Sequence, residues 1–135
     1  MWAAVRGKTA IAQILLDAGA DTEQVNAWGR NAMFLAAWEQ RDEIVRLMIE
    51  AGADVHAAAT HDEWSPLHKA AEMGNAAMVR MLLDAGADPA KRTLPDKTFP
   101  EGVTPISITR SESVKRILEE YLAEARRKKD GKEEL

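Results

Sequence analysis

A chain of 135 residues is long enough for one domain with one hydrophobic core. With 46% hydrophobic and 30% charged residues, its composition is that of a folded protein and excludes wholesale disorder. The net charge of -4 argues against a general nucleic-acid binder, and the absence of cysteine excludes disulfides and thiol chemistry. Neither a membrane-length apolar run nor a signal-peptide pattern is present. We therefore expect a monomer of the cytoplasm or nucleus that binds neither nucleic acid nor membrane.

A repeat runs along most of the chain. The tripeptide Gly-Ala-Asp occurs at 19–21, 52–54 and 86–88, at spacings of 33 and 34 residues. Before each copy stands a similar apolar segment, IAQILLDA, IVRLMIEA or MVRMLLDA, and further upstream an Ala-Ala pair, at 3–4, 36–37 and 70–71. Features that recur in register at one period indicate a stack of similar units that bury their apolar faces against their neighbours.

Each unit is predicted to contain two helices. In chain order, the pattern predicts helices over 2–6 and 9–18, 32–39 and 42–50, 66–73 and 76–84, and 105–110 and 112–128. Ser65 and Thr104 are suitable N-caps, each followed by a proline at the first helical position, and glycine follows the second helices where a left-handed C-cap favours it. The residues expected in the core are Ile11, Leu15, Leu16, Leu35, Val45, Met48, Ile49, Leu67, Val79, Leu82, Leu83, Ile106, Ile117 and Leu118.

These motifs resemble those of ankyrin repeats. The run Ser65-Pro66-Leu67-His68, followed by Ala70-Ala71 and Gly74, resembles the family's Thr-Pro-Leu-His…Ala-Ala…Gly pattern. Thr104-Pro105-Ile106 is a looser copy, and the second repeat lacks the proline. The resemblance implies an all-α solenoid of about four stacked helix-turn-helix repeats with hairpin-like fingers, the first repeat being incomplete. It divides the chain into an ankyrin-repeat domain over 1–122, with repeats at 1–21 (partial), 22–54, 55–88 and 89–122 (terminal), and a charged helical tail over 123–135. Because the first repeat has no finger and half a first helix, we expect the chain to have been cut from a longer one.

The resemblance also implies where a partner binds, since ankyrin proteins use their finger tips and the adjacent face of each first helix. In this sequence those positions hold Ala27, Trp28, Arg30, Trp38, Glu39, Asp62, Glu63, Trp64, Glu72 and Met73. Of these, we expect Trp28, Arg30, Trp38, Glu39, Trp64, Glu72 and Met73 to contact the partner. Three of the four tryptophans fall there, whereas leucine, isoleucine and methionine fill the core positions. Clustered exposed tryptophans are typical of a binding hot spot. The alternative is that these tryptophans cover one another as neighbouring repeats stack.

The segment before the terminal repeat is unusually long. Thr104 comes 16 residues after Asp88, whereas Ser65 comes 11 after Asp54, and the additional residues include Leu94 and Phe99. One interpretation is an adaptable binding loop on a rigid scaffold, with Leu94 and Phe99 as its apolar contacts. The other is that Phe99 folds the loop back onto the last repeat.

No pattern of catalytic chemistry is found. His68 occupies the family's structural histidine position, which implies a hydrogen bond to the backbone and not to a metal. A metal cluster of His56 and His61 with Asp62 and Glu63 is the less favoured interpretation of the finger that contains them. We therefore predict no enzyme activity, cofactor or metal. The predicted function is a protein-protein interaction module: a scaffold, adaptor or regulatory segment that binds a protein or peptide. The alternative is a structural spacer or an engineered repeat protein without a natural ligand.

Overall fold

The computed structural model describes residues 1–56 and 62–133, with side chains up to residue 131. Within these ranges the regular structure is helical, and no β-strand is present. The helices are α1 (Trp2–Arg6), α2 (Thr9–Asp17), α3 (Ala32–Trp38), α4 (Asp42–Glu50), α5 (Pro66–Glu72), α6 (Ala76–Asp84), α7 (Pro105–Ile108) and α8 (Glu112–Glu133).

The helices form four antiparallel pairs that stack in chain order. The first helices, α1, α3, α5 and α7, contact one another in sequence and make one layer, and α2, α4, α6 and α8 make the second layer. The alanine pairs lie between the layers, where Ala36, Ala37, Ala70 and Ala71 have no exposed surface. The all-α solenoid predicted from the sequence is confirmed.

Helices α3, α5 and α7 each begin at a side-chain cap. Ser65 accepts a hydrogen bond from the amide of His68, and Thr104 accepts one from the amide of Ser107. In the repeat without proline, the Oδ1 of Asn31 accepts the amide of Phe34 at 2.9 Å. Because Asn31 satisfies an N–H group that would otherwise be unpaired, the departure from the family pattern does not leave α3 without a start.

The second helices end in left-handed glycine caps, as predicted. Gly52 has a φ of 82°. Its amide donates to the carbonyl of Ile49, and the next amide, of Ala53, donates to the carbonyl of Met48. These bonds close the last turn and direct the chain out of the stack towards the next finger.

The core is continuous through the repeats and closed at the terminal pair. Eight predicted core residues are buried: Val45, Met48, Leu67, Val79, Leu82, Leu83, Ile117 and Leu118. Four more, Leu16, Leu35, Ile49 and Ile106, are half-buried. The prediction is wrong for Ile11 and Leu15, which are 42% and 46% exposed, because α1 and α2 have a neighbouring helix pair on one side only.

The terminal pair differs from the others in length. Helix α7 has four residues where α3 and α5 have seven, so it is about one turn shorter than they are and ends before the predicted residue 110. Helix α8 has 22 residues and packs against α6 through the buried side chains of Val114, Ile117 and Leu118. Its polar outer face covers the apolar end of the stack.

Candidate partner-binding surface

An open pocket lies on the first-helix layer between the second and third repeats. It has a volume of ≈ 210 Å³ and is lined by Arg30, Phe34, Trp38, Asp62, Trp64, Lys69 and Glu72. The first, second and third fingers are the segments between α2 and α3, between α4 and α5, and between α6 and α7. Helix α3 and the turn before it supply the first three pocket residues, and α5 supplies the last two. The second finger supplies Asp62 and Trp64. We call this the Trp38 pocket. It brings together Arg30, Trp38, Trp64 and Glu72 from the predicted site.

Two cations approach the ring of Trp38. The guanidinium carbon of Arg30 lies 4.4 Å from the ring centroid, and the ammonium nitrogen of Lys69 lies 4.1 Å from it. Both distances are within the range of cation–π attraction. The ring of Phe34 meets that of Trp38 edge-on, with the centroids 5.9 Å apart. Trp38 is therefore held in one orientation although it is 36% exposed.

Arg30 is held in place without its charge being neutralised. Its Nε is buried and has no hydrogen-bond partner. In the described part of the chain, no carboxylate forms a salt bridge with its guanidinium. An unsatisfied buried donor is costly and uncommon in folded proteins, so the position of Arg30 is set by its ring contacts and not by hydrogen bonds of Nε.

Lys69 differs from Arg30 in being paired. Its Nζ donates to the carboxylate of Glu72 at 2.5 Å, and its side chain is 13% exposed. The same nitrogen lies 5.6 Å from the centroid of Trp64. Lys69 thus connects the two tryptophans of neighbouring repeats, while Glu72 offsets its charge.

His68 supports the pocket from behind Trp64. Its ring centroid lies 5.8 Å from that of Trp64. Because the backbone N–H of Ser65 donates to Nδ1, the ring proton belongs on Nε2, which lies 3.1 Å from each of the carbonyls of Lys91 and Val103. The histidine therefore bonds to backbone, as predicted, and fixes the third finger against α5. Burial, the largest effect, lowers the pKa of His68 below its ordinary value of 6.5, although the hydrogen bonds to the two carbonyls oppose this.

The other predicted site residues lie outside the Trp38 pocket. Trp28 is 65% exposed on the first finger, and its backbone N–H donates to the side chain of Asn26. Glu39 and Met73 are exposed at the C-terminal ends of α3 and α5. Among the described rings, no tryptophan stacks on another tryptophan.

The long third finger has a defined closure. The backbone N–H of Thr93 donates to the carbonyl of Val103 at 2.9 Å, and the N–H of Val103 donates to the hydroxyl of Thr93. Leu94 is exposed, and its N–H donates to the carbonyl of Asp62 in the second finger. Phe99 is half-buried and lines a second pocket with Glu72, Ile108 and Arg110. The two pockets share Glu72.

Two residues of the Trp38 pocket, Phe34 and Lys69, are absent from the positions that the sequence assigned to partner binding. Lys69 has a detectable signal, because the repeat places it at the position of Trp2 and Leu35. A charge in a register position that is otherwise apolar indicates a role beyond packing. Phe34 gave no such signal, since it reads as an ordinary core residue.

Other sites are not found in the described residues. Within 1–56 and 62–131, no cluster of histidine and acidic side chains has the arrangement of a metal site. His61, a member of the alternative metal cluster, lies outside the described residues. No helix in the described ranges has the length and apolar character needed to cross a membrane.

The stacked helix pairs, the capped first helices and the paired alanines define a helical repeat solenoid. The family model for ankyrin repeats matches residues 1–93 with three copies, and the chain belongs to the ankyrin-repeat family. It is 32% identical over 117 residues to ankyrin repeat and SOCS box protein 11 of Danio rerio, a match that covers 87% of this chain and 37% of that protein.

Two further relatives come from distant organisms. A putative ankyrin repeat-containing protein of Treponema pallidum is 37% identical over 64% of this chain and 29% of its own length. The tyrosine-protein kinase HTK16 of Hydra vulgaris is 32% identical over 68% of this chain and 12% of its own length. The chain thus spans about a third or less of the length of these relatives.

Proposed function

We propose that this protein is a non-catalytic interaction module that binds a partner protein or peptide through its fingers and its first-helix layer. It serves as a scaffold, adaptor or regulatory segment, and as a monomer in the cytoplasm or nucleus. Ankyrin repeats are generally protein-protein interaction modules, which supports the coarse assignment. The observation that carries the finer one is the aromatic surface made by Trp28 and the Trp38 pocket.

The aromatic surface has two properties of a hot spot. Trp28 exposes 65% of its area and has no ring partner among the described residues. Most of its surface is therefore still available to be buried by a bound partner. Trp38, in contrast, is already oriented by Arg30 and Lys69, so little conformational entropy is lost when it is covered. The contacts that we propose with the partner are Trp28, Arg30, Trp38, Glu39, Trp64, Glu72, Met73, Leu94 and Phe99.

The test is capture of partners from a cell extract by the intact protein and by single variants. Trp28→Ala and Trp38→Ala are each expected to weaken binding of a captured partner by about 2 kcal/mol, or roughly 30-fold. Ile14→Ala is the control, because Ile14 is a large apolar residue that is 66% exposed on α2, in the second-helix layer and away from the pocket residues. Circular dichroism would establish that each variant is folded.

The outcomes separate the proposal from its alternative. A partner whose affinity falls for Trp28→Ala and Trp38→Ala and is unchanged for Ile14→Ala supports the proposal. Equal loss for Ile14→Ala would show a non-specific apolar contact. A protein that captures no partner specifically would be a structural spacer or a repeat protein without a natural ligand.

A further inference from the structure

We propose that the Trp38 pocket takes a carboxylate side chain of the partner, bound by Arg30, so that the partner is an acidic peptide segment. This rests on the proposed function and adds the chemistry that the surface selects. The starting observation is the guanidinium of Arg30, which lines the pocket and forms no salt bridge with a carboxylate among the described residues. A carboxylate of a partner in the pocket would pair with that charge.

The geometry of Arg30 suits a carboxylate better than a neutral acceptor. Its guanidinium is packed against Trp38 at 4.4 Å and lies 5.9 Å from the ring of Phe34. This packing fixes the group, and no carboxylate among the described residues forms a salt bridge with it. A planar guanidinium held in this way binds a carboxylate through two parallel hydrogen bonds, which are charge-assisted and therefore stronger than neutral ones.

The surrounding charges favour a singly charged group over a phosphate. The pocket contains two cations, Arg30 and Lys69, and two carboxylates, Asp62 and Glu72. Glu72 already pairs with Lys69 at 2.5 Å, so Arg30 is the cation that a ligand can use. A phosphate with nearly two negative charges would find in the pocket a single guanidinium that is not paired with a described carboxylate. A carboxylate carries one negative charge, which matches the single positive charge of the Arg30 guanidinium.

The binding segment can be found with a library of random short peptides displayed on phage and selected on the intact protein. In each enriched peptide, every Asp and Glu would then be replaced in turn by Asn or Gln. Affinities would be measured on the parent, on Arg30→Gln and on Arg116→Gln. Arg116 is an exposed arginine on α8 and serves as the matched control.

One acidic residue of the peptide is expected to depend on Arg30. Its neutralisation should weaken binding to the parent and to Arg116→Gln about tenfold or more, the usual loss for a hydrogen bond to a charged group. The same replacement should change binding to Arg30→Gln less than about twofold, since the coupling partner is already gone. Arg30→Lys keeps the charge without the planar fork and should give an intermediate affinity; it also carries the test if Arg30→Gln does not fold.

Failure of this inference is distinct from failure of the proposed function. Peptides that require Trp28 or Trp38 but tolerate neutralisation of every acidic residue would overturn the inference and leave the function standing. Peptides indifferent to both tryptophans, or the absence of any enriched peptide, would count against both. Competition by inorganic phosphate stronger than by acetate would overturn the choice of a carboxylate.

Discussion

The first helix pair and the two inner pairs carry nearly the same sequence pattern but differ in what they bury. The register aligns Leu15 of α2 with Met48 of α4 and Leu82 of α6. Leu15 is 46% exposed, whereas Met48 is 3% and Leu82 0% exposed. Since the helices are equivalent, the difference comes from their neighbours: α4 and α6 lie between two second helices, and α2 contacts one. In a solenoid, a sequence pattern specifies which face can be buried, and stacking decides whether it is.

The largest expected effect tests this difference directly. Leu82→Ala should lower the free energy of unfolding by about 2–5 kcal/mol, because it leaves a cavity among close-packed side chains. Leu15→Ala, the same substitution at the equivalent position, should cost less than about 1 kcal/mol, because half of the side chain is already in water. Denaturation by urea, followed by circular dichroism, measures both.

Equal losses of unfolding free energy in Leu82→Ala and Leu15→Ala would contradict the difference between the first and the inner helix pairs. A cost for Leu15→Ala close to that of Leu82→Ala, with the denaturant dependence unchanged, would mean that the outer face of α2 is covered in solution. The concentration dependence of the transition would then show whether a second copy covers it.

Local features of the fold could be predicted from the sequence, whereas features that depend on a neighbouring repeat could not. Helix positions, caps and glycine turns were predictable because they depend on residues within one turn of each other, as with Ser65 and His68. The exposure of Ile11 was not, because it depends on the presence of a neighbouring repeat. The contact of Lys69 with Trp38 joins residues 31 apart in the chain, and no local pattern predicts it.

A smaller effect concerns the register position shared by Phe34 and His68. Both residues are buried, but only His68 can be protonated. Since its pKa is lowered in the folded state, folding disfavours the bound proton. Its contribution to stability is therefore complete above the ordinary pKa of 6.5 and is lost as pH falls below that value towards the lowered one. Lys91 adds to the lowering and Asp88 opposes it.

The free energy of unfolding should thus decline as pH is lowered from above 6.5 to about 5. The decline should be flatter in His68→Gln, which has no proton to gain, than in the parent. His56→Gln is the control, because His56 is exposed on the second finger, and it should keep the parent's decline. A parental curve that is flat over this range, or equal slopes in the parent and in His68→Gln, would refute the assignment.

The smallest effect concerns the turn between the two helices of each repeat. Gly7, Gln40 and Gly74 occupy the same register position, and all three have a left-handed backbone, with φ values of 64°, 54° and 70°. A residue with a Cβ pays about 1–2 kcal/mol for that conformation, whereas glycine does not. The second repeat therefore contains strain that its neighbours avoid.

Gln40→Gly should raise the free energy of unfolding by roughly 0.5 kcal/mol, because relief of the strain exceeds the additional flexibility that glycine gives the unfolded chain. The reverse change in the third repeat, Gly74→Gln, should lower it by roughly 1 kcal/mol. At Gly74 a Cβ would lie 3.4 Å from that of Ser111, an ordinary contact, so the cost there is one of conformation and not of space. If Gln40→Gly proved destabilising while Gly74→Gln was tolerated, the turn of the second repeat would owe its shape to side-chain contacts of Gln40, and the repeats would be less equivalent than their backbones are.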